Sequence, residues 1–197
     1  MKIVLVGPHA LAAAWRRSFE NSDVAIMDGD IIEAAVGGAL VSPANSFGWM
    51  DGGLDQKISD AYRDHNVDIT ALAQAAIRER AGGELPVGQA LVLPTPQGPY
   101  THLVVAPTMR TPRPVRRSLN AYLAFRAVLL AADAWDRERP ENPIETLFCP
   151  GLCTGIGRMP AGRAARQMRA AWDAVRNREH IPSLIGARVR EDALRLW

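Results

Sequence analysis

Between Val41 and Asp55 the chain reads V-S-P-A-N-S-F-G-W-M-D-G-G-L-D, an apolar run that breaks at a proline into a glycine-rich loop carrying polar side chains. Asn45, Asp51 and Asp55 are groups that a plain connector does not require. Glycines such as Gly52 and Gly53 let backbone N–H groups approach a ligand closely. A helix starting near Leu54 offers unpaired N–H donors and the positive end of its dipole. That combination suits an anion, a phosphate above all. A second loop, Pro150 to Pro160, contains Thr154-Gly155-Ile156-Gly157-Arg158 and again leads into a helix. Two such loops can hold a diphosphate between them without a metal, with Arg158 adding a charged contact. Taken singly, each is equally well explained by glycines that make tight turns.

The polar residues admit plainer readings beside the chemical ones. Asp30 follows an apolar run and stands where an N-cap belongs, so it caps a helix or meets a ligand. Asn45 either stabilises a turn or meets a hydroxyl group. Asp55 falls in the first turn of a helix, where any acid gains about 0.3–1 kcal/mol from the dipole, and it is also the candidate general base, with Asp51 as its rival. Cys153 and Arg158 are separated by four residues, one fewer than a cysteine phosphatase loop needs, which argues against a nucleophilic thiol. The four histidines, at 9, 65, 102 and 180, are scattered, and no pair has the spacing of a metal site. No metal or other cofactor is expected. Trp15, Trp135 and Trp172 lie on apolar helix faces and are assigned to the core; Trp49, in the first loop, is either a lid or a core residue.

These residues need a scaffold of alternating strands and helices. Strands are predicted at 3–6, 24–27, 39–41, 86–93, 102–106 and 146–149, the fourth and fifth forming a hairpin. Helices are predicted at 10–19, 31–36, 53–63, 68–80, 115–136 and 161–178, with residues 181–197 a weakly periodic tail that packs as a final short helix. The order implies an α/β fold, a three-layer α/β/α sandwich on a mixed, largely parallel central sheet. Ligands of open α/β sheets bind beyond the carboxyl ends of the strands, so Asp30, Asn45, Thr108, Arg110 and the 151–158 loop should converge on one crevice.

At 197 residues and 48% hydrophobic residues, a single domain with a substantial core is expected over residues 1–197. No apolar stretch approaches the roughly 18 residues needed to cross a bilayer, and M-K-I-V-L-V-G-P is too short for a signal peptide. Two cysteines suit a reducing compartment, so a cytoplasmic location is expected. Residues 1–100 carry 7 basic and 12 acidic side chains, and residues 101–197 carry 16 and 9, giving halves of −5 and +7. Of the 23 basic residues 21 are Arg. Nucleic-acid binding is not expected, because these Arg residues spread along helix faces without interleaved aromatics. Nothing in the sequence sets an oligomeric state.

Three motifs give the chain a resemblance to the macrodomain family, which binds ADP-ribose. Gly29-Asp30-Ile31 is similar to the family's G-D-I. Ala44-Asn45 with Gly52-Gly53-Leu54-Asp55 is similar to its A-A-N and G-G-G-G-V-D segment, at the same ten-residue interval. Thr154-Gly155-Ile156 is similar to the T-G-I of its second phosphate loop. The resemblance runs from Val4 to about Val175. It implies that Asp30 takes the adenine amino group, that the Ile31 N–H meets the ring, that Asn45 orients the distal ribose and that Asp55 activates a water there. It further implies an ADP-ribose or ADP-ribosylated protein ligand. Departures mark a divergent branch of the phage or bacterial type. Ser42 stands where the family has its first Asn, Met50 and Asp51 replace loop glycines, and Gly157 replaces an aromatic residue. The expected activity is hydrolysis at the distal ribose; a non-catalytic reader and a phage accessory protein retaining the fold are the alternatives.

Overall fold

In the computed structural model, which describes residues 1–196, the first strand already shows how the sheet is covered on both faces. Along β1 (Lys2–Gly7), Ile3 and Leu5 point to one hydrophobic cluster and Val4 and Val6 to another. Period-two alternation with both faces apolar is what a strand buried between two helical layers requires. The same split recurs in β3 (Ala39–Ser42) and in β5 (His102–Val105).

The six strands are ordered β2-β1-β6-β3-β5-β4, with β2 at Ala25–Asp28, β6 at Thr146–Cys149 and β4 at Leu91–Pro94. All neighbours pair in parallel except β4 and β5, which form an antiparallel hairpin at one edge. Helices α1 (His9–Ser18), α5 (Asn120–Glu138) and α6 (Ala161–Arg176) cover one face, burying Trp15, Phe125, Val128 and Met168. Helices α2 (Ile31–Ala34), α3 (Gly53–Arg63) and α4 (Ile69–Ala81) cover the other with Ile58, Tyr62, Ile69 and Ile77. The last helix, α7 (Leu184–Leu196), buries no side chain and lies along α6 through polar contacts, among them Gln167 Nε2 donating to the Leu194 carbonyl at 3.0 Å. The expected mixed α/β sandwich is thus the observed one.

Element boundaries follow local chemistry. Asp68 caps α4 by accepting from the Ala71 N–H at 2.9 Å, and Gly82 ends it in the left-handed conformation, φ 61°. Helix α5 starts at Asn120, five residues later than the periodicity suggests. Residues 115–119 are held in a turn instead, with Ser118 Oγ donating to the Val115 carbonyl and accepting from the Asn120 N–H. The predicted strand 86–93 is shortened to Leu91–Pro94, because Pro86 to Gln89 forms a tight turn closed by Gln89 N–H to Pro86 O. Trp15 and Trp135 are buried and Trp172 packs partly buried against the same core, whereas Trp49 is 57% exposed and does not belong to it. Among the described residues no helix is long and apolar enough to cross a membrane.

Candidate functional site

At the carboxyl ends of β1, β2, β3, β5 and β6 the loops enclose a cleft of ≈ 540 Å³, within the range typical of small-molecule sites. Asp30 and Ile31 line it after β2, and Asn45 after β3. Gly52, Gly53, Leu54 and Asp55 line it at the start of α3, and Thr154, Gly155, Ile156 and Gly157 after β6. The crevice rule therefore brings nearly all the sequence candidates together. Arg158 is the exception: it is exposed, adopts φ 51° and does not line the cleft. Arg110 is also outside, drawn into a two-pronged pair with Glu84 at 2.7 and 2.9 Å and stacked over Phe47.

Each wall is built by a local device. Gly52 precedes α3 in extended conformation and supplies no side-chain cap, so the first N–H groups of this 11-residue helix meet no capping group. Gly53, the first helical residue, takes φ 61°, a conformation that costs a β-carbon-bearing residue roughly 1–2 kcal/mol. The loop before it is anchored by Met50, which is 3% exposed and belongs to the α3/α4 core. The methionine standing in place of a glycine is therefore a peg, not a ligand contact. Across the cleft, Thr154 Oγ1 donates to the Gly151 carbonyl at 2.9 Å and the Met159 N–H to the Cys153 carbonyl at 2.9 Å, fixing the second loop. A β-carbon on Gly53 would lie 3.9 Å from Ile156 Cδ1, so the two loops face each other at contact distance.

Asp30 is an N-cap that also lines the cleft. Its Oδ1 accepts from the Ile32 N–H at 2.9 Å as an N-cap, while the residue lines the cleft and its Oδ2 takes a 3.4 Å contact from Lys57. Tyr100, whose hydroxyl donates to the Ile32 carbonyl at 3.0 Å, holds this corner from behind; burial pushes its pKa up to about 12. Asn45 is 7% exposed and spends its side chain on its own loop: Nδ2 donates to the Trp49 carbonyl at 2.8 Å and Oδ1 accepts from the Phe47 N–H at 3.1 Å. The left-handed residue of this turn is Gly48, φ 70°, not Asn45.

Asp55 is the carboxyl of the cleft whose pKa is displaced toward neutrality. It is half-buried at the start of α3, and Ser42, fully buried at the end of β3, donates from Oγ to Asp55 Oδ1 at 2.7 Å. Burial raises its pKa to about 6; the Ser42 hydrogen bond pulls the other way, and the neighbouring Asp51 adds a small upward push. A carboxyl titrating there can take or give a proton near neutrality. Asp51 itself lines the cleft and is exposed. Cys153 is 3% exposed and burial lifts its thiol to about 12, while Cys149 is raised further by the same cause. Neither is a nucleophile near neutral pH. Among the described residues no cluster of His, Cys, Asp and Glu could hold a metal ion.

The contact of Ser42 with Asp55 is what sequence reasoning missed. Its signal was available, a hydroxyl ending an apolar strand 13 residues before an acid, but only the pairing of β3 with the α3 start shows that the two meet. The β1–α1 lip was also missed: Gly7, Pro8 and Leu11 line the cleft beside Asp30.

The fold and site together define an α/β domain with a nucleotide-sized cleft at its strand ends. The description of the Macro domain family matches residues 41–168, well over half of the sequence, and the chain belongs to that family. A protein of Aquifex aeolicus is 29% identical over 146 residues, 74% of this chain and 78% of that protein; one from Aeropyrum pernix is 27% identical over 140 residues, 71% and 66% respectively. Similar solved structures include the macrodomain of Mycobacterium tuberculosis DarG, at 20% identity and TM-score 0.56, covering 75% of this chain and 88% of that one. Thermosipho africanus DarTG in complex with ADP-ribose is similar at 15% identity and TM-score 0.53, covering 85% of this chain and half of that one. A mutant of the Oceanobacillus iheyensis macrodomain with ADPR is similar at 15% identity and TM-score 0.54, covering 85% and 76%.

Proposed function

We propose that the cleft binds ADP-ribose and that the protein hydrolyses a bond at the distal ribose, releasing ADP-ribose from a protein or processing an ADP-ribose derivative. The observation that carries this reading is Asp55, a carboxyl held by Ser42 at the cleft wall with its pKa raised to about 6. Membership of the macro domain family supports the ligand, as do the ADP-ribose complexes of two structures sharing the fold. Adenine sits at Asp30 and Ile31, the diphosphate between the Gly52–Leu54 and Thr154–Gly157 backbones, and the distal ribose at Asn45 and Asp55. Ionised Asp55 takes a proton from the attacking water; Asn45 keeps the Trp49 loop shaped around the ribose. The two buried thiols are compatible with a cytoplasmic setting.

Turnover of ADP-ribosylated protein and of acetylated ADP-ribose tests the chemistry. Asp55→Ala abolishes turnover and leaves ADP-ribose affinity within about threefold; a variant as fast as the parent removes Asp55 from the mechanism. One observation favours a second reading, a reader without turnover. Asn45, which would orient the ribose, already spends both ends of its amide on backbone groups of its own loop.

A further inference from the structure

We propose that the group joined to the distal ribose is an acidic polypeptide segment, received by Arg113, Arg116, Arg117 and Arg158 at one end of the cleft. The inference rests on the reading above for the direction in which ADP-ribose lies. The cleft runs from β2, which leads to Asp30, to β5, which leads to Thr108 and Pro112. Four inter-strand spacings of about 4.8 Å separate the two, so the ends lie roughly 19 Å apart. With adenine at Asp30, whatever the far ribose carries emerges on the β5 side.

That side is cationic and unpaired. Residues 106–132 contain Arg110, Arg113, Arg116, Arg117 and Arg126 and no Asp or Glu; residues 146–172 contain Arg158, Arg163, Arg166 and Arg169 and no acid. The two segments are joined at the cleft rim. The Val115 N–H donates to the Gly157 carbonyl at 2.8 Å, and Arg163 Nη1 donates to the Arg116 carbonyl at 2.6 Å. Gly157 and Pro112 line the cleft, which places Arg158 and Arg113 just outside it. All four proposed contacts are exposed, and among the described residues none of them makes an ion pair. Arg110 shows the contrast, its charge being met by Glu84. The Asp30 end is the opposite in sign, Asp28, Asp30 and Glu33 outnumbering the one lysine there, Lys57, which meets Asp30 at 3.4 Å.

The rim does not serve the diphosphate, because none of the four lines the cleft. The two Arg-bearing segments themselves offer no stacking surface, since no aromatic residue lies between 106 and 117 or between 150 and 166; the exposed aromatic of the cleft, Trp49, belongs to the first loop. Unpaired guanidinium groups on a proline-stiffened loop match carboxylates, which Arg can grip in two-pronged geometry.

The test uses the full chain and ADP-ribose joined by a hydrolysis-resistant triazole link to three carriers: a Glu-rich peptide, a Lys-rich peptide and a single-stranded oligonucleotide. Dissociation constants are read by fluorescence anisotropy at low and high salt, with free ADP-ribose as the reference. The acidic peptide conjugate binds about 10-fold tighter than the basic one at low salt, and the advantage shrinks in about 0.5 M salt. Arg113→Glu/Arg117→Glu removes the preference while free ADP-ribose binds as before, which also certifies the fold. Equal affinity for the two peptides, or a preference that survives the charge reversal, overturns the proposal. Tightest binding of the oligonucleotide conjugate overturns the choice of partner. Failure of free ADP-ribose to bind is a different result, and overturns the reading of the cleft itself.

Discussion

As the proposed general base, Asp55 sits under two opposed demands. A general base must be ionised at working pH, yet burial at the α3 start disfavours the charge and lifts its pKa from 3.8 to about 6. Turnover should therefore rise with pH along a limb with its midpoint near 6, read from initial rates between pH 5 and 8. The same shift has a sign in stability. Between 3.8 and 6 the folded state holds a proton that the unfolded chain has released, so stability falls as pH rises through that window, by about 3 kcal/mol when complete. Asp55→Asn should consequently melt several degrees above the parent at pH 8, match it near pH 4, and have no turnover; thermal melts at both pH values check this. Ser42→Ala removes a hydrogen bond that favours the ionised carboxyl. It moves the midpoint of the rate profile upward and lowers kcat below pH 7, whereas Ser42→Thr, which keeps the hydroxyl, retains the parent midpoint.

At the scale of elements, the second cleft loop leaves no room for side chains at Gly151 and Gly157, whereas a β-carbon at Gly52 or Gly155 would meet nothing within 4 Å. A β-carbon at Gly157 would stand 2.5 Å from the Cys153 carbonyl oxygen and 2.9 Å from Val115 Cγ2. The absence of the family's aromatic residue is thus not an opening in the site but a tighter loop, braced against the Arg-bearing segment. Gly157→Ala should cost about 1–3 kcal/mol by overpacking and weaken ADP-ribose, measured by thermal melts and calorimetry. The elements themselves were legible because their signals are local. Asp68 and Gly82 bound α4, and the apolar run 146–149 is β6. The gathering of the candidate residues in one cleft followed from motif spacing and the strand-end rule. What the sequence hid was non-local: Ser42 meeting Asp55, Met50 turning inward as an anchor, Arg158 turning outward. The late start of α5 was hidden for another reason, a serine side chain that outbids the helix for backbone partners.

For the whole molecule, the two hydrophobic clusters on either side of the sheet set stability, and α7 stands outside both. Removing residues 182–197 should lower the melting temperature by only a few degrees and leave the ADP-ribose dissociation constant within about twofold, since no residue of α7 lines the cleft. The surroundings of the cleft are uneven in charge at this scale, with Asp28, Asp30 and Glu33 near the β2 end and arginines that make no ion pair among the described residues near the β5 end. That polarity gives an elongated, doubly charged ligand one favoured direction. The most direct measurement is a calorimetric titration of the full chain with ADP-ribose at pH 7.5. A saturable one-to-one isotherm, much tighter than that for ribose 5-phosphate or adenosine alone, is the predicted result; folded protein giving no saturable heat at millimolar ADP-ribose would contradict it.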